Sequence, residues 1–401
     1  MRTQPAIPAH ILPVIVFAQF AGTSLWFAGN AVAADVQREL GLGLRAAGDL
    51  TTAVQLGFIV GTLLFAVLAV ADRFSPVRVF GVCALAGALC NLAPVVGAVA
   101  WPSLLTFRFL TGVCLAGVYP VGMKIAADWH AQGLGRALGY LVGALVLGTA
   151  FPHLLKAVGG HLPWKLILAA TSALAALGGG ALVLTVPNGP HRAAPPRFSG
   201  QVIPQLFRFP AFRAAVFGYF GHMWELYAWW AFVPALLTAY NRLHPGWALG
   251  VPLWSFVTIG VGSLGCVCGG YWSQRVGSPR VAFGLLATSG VCCLLSPLLL
   301  DLPPALLLAM LLVWGFAVVG DSPQFSTLVA RTAPVPYVGT ALTIGNCVGF
   351  ALTIISIQLL TALQTVVSVR WWYLVLAPGP IVGLWQTARL LAPTGQGEKT
   401  P

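Results

Sequence analysis

The chain repeats itself once, at about half its length, through nearly all of its apolar sequence. FAQFAGTSLWFAGN (17–30) aligns with FGYFGHMWELYAWW (217–230) at an offset of 200 residues. The basic turn DRFSPVRVF returns as QRVGSPRVAF, with Asp72 and Arg73 against Gln274 and Arg275. At an offset of 203, Pro76, Phe80, Gly81, Cys90 and Pro94 match Pro279, Phe283, Gly284, Cys293 and Pro297, and Gly112, Gly117 and Pro120 match Gly315, Gly320 and Pro323. A chain built this way folds as two parallel copies of one unit, with a space between them.

Charged residues make up 7% of the chain and apolar residues 58%, at a mean hydropathy of +0.87. So few charges cannot cover a water-facing surface, so the expected solvent for most of the chain is lipid. At roughly 20 residues per crossing, about twelve helices fit. The fold class expected is all-α integral membrane, with twelve transmembrane helices in two pseudo-symmetric six-helix bundles. The net charge of +12 falls in the loops, not on a soluble basic domain. That argues against nucleic acid and for the lipid bilayer as partner. All eight cysteines lie in apolar runs without metal spacing, so no metal and no cofactor is expected. Ala31-Val32-Ala33 imitates a leader cleavage site, but the run before it has a mid-chain counterpart, so it reads as a permanent helix.

The expected spans are 10–33, 47–71, 77–99, 103–127, 136–157 and 164–186, then 211–239, 250–273, 279–300, 304–330, 337–363 and 371–392. They divide the chain into an N-terminal bundle (1–186), a Pro- and Arg-containing linker (187–210), a C-terminal bundle (211–392) and a polar tail (393–401). Setting Arg108 aside as intramembrane, the remaining Lys and Arg fall 14 on the side of the termini and 6 on the other. The positive-inside rule then places both termini in the cytoplasm.

The turn after the second span, with Asp72, Arg73 and Arg78, resembles the G-x-x-x-D-R-x-G-R-R loop of the major facilitator superfamily. It departs at Leu68, Ser75 and Pro76-Val77. Arg108 with Gly112 and Gly117 looks like that family's fourth helix, and GLGRALG (133–139), with Arg136, like its next loop. Gly139, Gly148 and Pro152 match only the start of the family's antiporter pattern. The resemblance implies a transporter, and a latch made by Asp72, Arg73, Arg78, Asp128 and Arg136. Asp72 is expected to bond across the interface between the halves, in one state only. Lys124 and Asp128, at i and i+4, read either as a helix-end ion pair or as Asp128 reaching the arginine turn. YFGHMWELYAWWAF and GDSPQFSTLV are similar to a bacterial subgroup of the same family, without naming a solute. Nitrate is disfavoured, because the second and eighth spans hold no deep arginine.

Polar residues concentrate on the seventh span. His222, Glu225 and Trp229 share a face, and their first-half counterparts are Gly22, Leu25 and Gly29. Ionisable groups acquired at membrane depth point to function. Asp321, between Gly320 and Pro323, stands where the first half has Val118, and its flanks predict a locally opened helix. Glu225, Asp321 and Arg108 are therefore the expected proton-coupling residues. Gln19, Trp26, Asn30, Tyr119, His222, Tyr227, Trp229, Gln324 and Asn346 are the expected substrate-cavity residues. The partners expected are a small organic solute and protons, served by a functional monomer that alternates access. Efflux antiport and facilitative uniport on the same fold stay open, as does a non-transporting receptor. An enzyme is disfavoured, because no nucleophile, base or metal ligands cluster around His222.

Overall fold

The computed structural model describes residues 7–97, 100–130, 134–160, 162–192 and 198–391. Arg2, Arg197, Lys399, Gly133 and the tail 393–401 lie outside the described residues. Among the described residues there are helices and turns and no strand. In chain order the first six helices are α1 (Ile11–Thr23, continued by Ala28–Ala31 and Ala33–Leu40), α2 (Ala46–Val67), α3 (Pro76–Val96), α4 (Trp101–Leu115, continued by Tyr119–Trp129), α5 (Leu134–Gly159) and α6 (Trp164–Thr185). The second six are α7 (Pro210–Leu243), α8 (Val251–Gly260 and Gly262–Val276), α9 (Ser278–Leu295), α10 (Pro304–Gly320 and Ser322–Thr332), α11 (Val338–Leu363) and α12 (Val369–Leu376 and Pro378–Thr387).

Among the described residues nine helices are long and apolar enough to cross a membrane. Twelve were expected, and the three others differ for physical reasons. The apolar first stretch of α1 is only 13 residues long, because the helix breaks at 24–27. In α7, at 34 residues, His222, Trp224, Glu225 and Tyr227 lower the hydropathy. The start of α12 is 3₁₀ over Val369–Leu376, and Pro378 opens the helix that follows.

The six N-terminal helices pack on one another, chiefly α2 on α4, α3 on α6 and α1 on α5 and α6. In the second set α7 packs on α11 and α12, and α8 on α10. The two sets meet where α5 lies along α8 and α2 along α11. In lipid, helices gain little from hiding apolar surface, so close backbone approach must hold them. Glycine permits that approach in matching places. A Cβ on Gly112 would sit 2.1 Å from the Val54 carbonyl oxygen, and one on Gly315 2.0 Å from that of Thr258. The reciprocal contacts are Gly57 to the Phe109 carbonyl (1.9 Å) and Gly265 to that of Phe316 (2.1 Å).

Shared prolines break α4 and α10 at matching points. A proline lacks its N–H and crowds the carbonyl four residues back. Pro120 follows the break at 116–118, and Pro323 the break at Asp321, the local opening its flanks predict. The Val319 carbonyl, four residues before Pro323, accepts instead from the Cys266 thiol (3.3 Å).

Candidate functional site

The face of α7 carrying His222, Glu225 and Trp229 turns into its own bundle. Glu225 is 1% exposed, and its Oε1 accepts three bonds: from Ser289 Oγ (2.5 Å) and Cys293 Sγ (3.2 Å) on α9, and from Trp314 Nε1 (2.6 Å) on α10. Three donors on one oxygen make a site for a carboxylate. One turn earlier, His222 Nδ1 stands 2.8 Å from Asp321 Oδ1, with both side chains buried. The distance is that of an ion pair, formed when the ring is protonated. His222 Nε2 and Asp321 Oδ2 have no hydrogen-bond partner among the described residues. Trp229 packs on Trp314 (ring centroids 5.5 Å apart) and Trp314 on Tyr373 (5.3 Å), and the Trp229 N–H and Tyr373 hydroxyl are also unbonded. Unpaired buried polar groups are costly and rare.

The first bundle holds a fixed charge instead. Arg108 is 2% exposed and makes no ion pair among the described residues. Its guanidinium donates to the carbonyl of Leu25 (3.0 Å), to that of Trp26, and to Asn91 Oδ1 (3.1 Å). The break in α1 frees those carbonyls, so an arginine on α4 holds α1 open. Asn91 in turn ties this group to Leu168, Thr171 and Ser172 on α6. A closed void of about 10 Å³ beside Arg108 is barely large enough for one water.

Between the bundles, aromatic rings fill the middle of the interface. Trp26 meets Phe58 (4.8 Å), Phe350 (5.6 Å, 22° between planes), Tyr227 (5.7 Å) and Tyr119 (6.4 Å). Phe58 and Phe350 lie 4.5 Å apart, so rings from α1, α2, α4, α7 and α11 form one cluster. A cavity was expected here, and the expected lining residues meet each other instead. Trp26 Nε1 donates to Gln55 Oε1 (3.3 Å). Asn30 Nδ2 reaches Thr51 Oγ1 (3.3 Å) and the Ala231 carbonyl of the other bundle (3.5 Å). Gln19 is fully buried against Gly122, with neither amide atom bonded among the described residues. Asn346 accepts from the Tyr219 hydroxyl (3.0 Å), and Gln324 is buried near Gly269. Two open grooves, of about 750 and 560 Å³, lie on the second bundle, one beside Trp272 and Arg275, the other beside Val291 and Met310.

Contacts hold the interface at both ends. At the end bearing the termini the Tyr140 and Tyr271 hydroxyls lie 2.8 Å apart. At the other, Gln358 Nε2 donates to Asp49 (3.2 Å) and Thr52 (2.8 Å). Asp72 pairs with Lys124 in its own bundle, so Lys124 is not held by Asp128. Arg192 in the linker donates to the carbonyls of Asp72 (2.9 Å) and Phe74 (2.7 Å), and Ser75 Oγ donates to Asn188 Oδ1 (2.6 Å). Asp128 is buried, and its main-chain carbonyl accepts from the His191 N–H. Arg73, Arg78 and Arg136 are exposed.

The structure therefore separates the expected residues. Glu225, His222, Asp321 and Trp229 sit inside the second bundle and Arg108 inside the first. Trp26, Asn30, Tyr119 and Tyr227 lie at the interface. Sequence reasoning missed Gln55, Phe58, Asn91, Ser289, Cys293 and Phe350. Gln55 and Asn91 carried a signal, a lone amide in an apolar run, whereas Phe58 and Phe350 look like any lipid-facing ring.

The sequence profile of the family described as Major Facilitator Superfamily matches residues 14–357. A search among curated proteins gave no match.

Proposed function

The chain belongs to the Major Facilitator Superfamily, a family of membrane transporters, and from that premise we propose that it moves a small organic solute across the bacterial inner membrane by proton-coupled alternating access. The two helix sets rock about the α2–α11 and α5–α8 contacts, and the solute enters where the aromatic cluster now closes. Glu225 and Asp321 take up and release the proton, His222 holds Asp321, and Arg108 keeps α1 open. The protein acts as a monomer with both termini in the cytoplasm.

The observation that carries this reading is the burial of two carboxyls inside the second bundle, at positions where the repeat's first copy has Leu25 and Val118. Packing alone asks for no acid there. The test is reconstitution into liposomes given an extract of neutral and charged metabolites outside and a pH gradient. Trapped solutes are read by mass spectrometry. Wild type accumulates at least one solute against its gradient. Glu225→Gln loses accumulation and keeps counterflow exchange of that solute. Full pH-driven accumulation by Glu225→Gln removes Glu225 from coupling, and no accumulation of any solute by wild type removes the proton-coupled reading.

A further inference from the structure

The interface cluster offers rings and amides but no charge. The side chains in ring contact with Trp26 are Phe58, Tyr119, Tyr227 and Phe350, and all are buried. The buried Arg108, Glu225 and Asp321 are turned elsewhere. Arg108 directs its two terminal nitrogens at the Leu25 and Trp26 carbonyls and Asn91, and its Nε has no partner among the described residues. Glu225 faces Ser289, Cys293 and Trp314, and Asp321 faces His222. A solute with a formal charge would give up its water here and find no opposite charge.

What the cluster does offer is a set of buried polar atoms without partners among the described residues. Gln55 Nε2 is one, on the amide whose oxygen holds the Trp26 N–H. Trp230 Nε1 is the second, on a ring packed against Phe27 (5.9 Å) and Tyr227 (5.1 Å). The third is Asn30 Oδ1, on the amide that bridges to Ala231. All three side chains are more than nine-tenths buried. Two free N–H donors and one free carbonyl acceptor await a molecule that carries acceptors and a donor. The near-parallel Trp26 and Phe350 rings favour a flat one.

We infer that the aromatic cluster is a collapsed binding site for an uncharged, planar solute bearing both hydrogen-bond acceptors and a donor. This deepens the transporter reading and rests on it. The solute replaces the ring-to-ring contacts with ring-to-solute stacking, and its polar edge satisfies Gln55, Trp230 and Asn30. Attraction of a cation to ring faces exists, but with no carboxylate in the cluster it does not replace the ion's lost hydration.

Four probes of similar size separate charge from shape: nicotinamide (neutral, flat), nicotinate (anion), 1-methylnicotinamide (cation) and cyclohexanecarboxamide (neutral, not flat). Binding to the purified full chain is read from quenching of tryptophan fluorescence, with thermal protection as the second readout. Nicotinamide is expected to bind at least about tenfold more tightly than each of the others. Gln55→Leu removes the free N–H together with the acceptor for Trp26, and Trp230→Phe removes only the indole donor. Each should weaken nicotinamide at least about fivefold, and the wild-type probe series stands by itself if either variant fails to fold. A charged probe within tenfold of nicotinamide, or no binding by any of the four, overturns the inference. In the liposome assay, a charged solute as the accumulated species overturns it while leaving the transporter reading intact.

Discussion

Removing one partner of the His222–Asp321 pair should cost the fold much more than removing both. The two side chains are 1% and 0% exposed, so neither can turn to water when the other is lost. Taking one member from a buried pair leaves an uncompensated polar group and costs about 3–5 kcal/mol. Replacing both with apolar groups of similar volume is often close to neutral. His222→Phe places a ring between Tyr219 and Phe325, whose centroids lie 6.0 and 5.9 Å from the imidazole, and Asp321→Leu fills the facing space. The singles should each cost about 4 kcal/mol and the double under about 2 kcal/mol, a coupling of several kcal/mol where independent sites agree within about 0.5 kcal/mol. With an unfolding entropy of about 2.1 cal/mol/K per residue over 401 residues, each single lowers Tm by about 5 °C. Differential scanning fluorimetry of the four proteins in one detergent measures the cycle. Additive singles, or singles within about 1 °C of wild type, would show that the pair is not an energetic unit.

Three further outcomes are expected. Glu225→Ala strands the Ser289, Cys293 and Trp314 donors and should cost about 3 kcal/mol or more, whereas Glu225→Gln keeps an acceptor oxygen and should cost about 1–2 kcal/mol, both read by thermal unfolding. Gly112→Val and Gly315→Val should be destabilising to similar degrees, each by at least about 1–3 kcal/mol, because each new Cβ meets a carbonyl near 2 Å; a large loss in one and none in the other would contradict the structural repeat. Lys124→Gln should change stability by less than about 1 kcal/mol, because its pair with Asp72 is 20% and 27% exposed; a Tm loss above about 3 °C would assign that pair a larger role.

Much of the fold was legible because lipid imposes a strong pattern. Apolar runs follow from having no water in the bilayer core, and the duplicated prolines mark matching breaks in α4 and α10. Pro323 beside Asp321 announced the opened helix, since proline breaks a ladder wherever it stands. The break in α1 gave no such sign. No proline marks it, and what holds it open is Arg108, about 80 residues away on α4. The direction of the acids was only half legible. Spacing put His222, Glu225 and Trp229 on one face of α7, but which neighbour that face meets is a tertiary fact. Serine and cysteine on α9 look like small packing residues until Glu225 is seen against them.

The arrangement of α7 suggests how a proton in one place can affect a solute in another. Its inner face carries His222, Glu225 and Trp229; Tyr227 stands on the opposite side and Trp230 between the two, both in the interface cluster, with the Ala231 carbonyl under Asn30. Glu225 and Tyr227 are two residues apart, so a rigid helix cannot turn one without turning the other by the same angle. The His222–Asp321 pair ties α7 to the broken point of α10, where Pro323 has already weakened the ladder. If the acids carry the proton, a change in their charge alters that tie, and the turn of α7 that answers it moves Tyr227 against Trp26 on the other bundle. The first copy has no such link, because Arg108 is held by main-chain carbonyls and does not change partners on protonation. Duplication would then have supplied two rigid units, and divergence on α7 and α10 would have made one of them responsive.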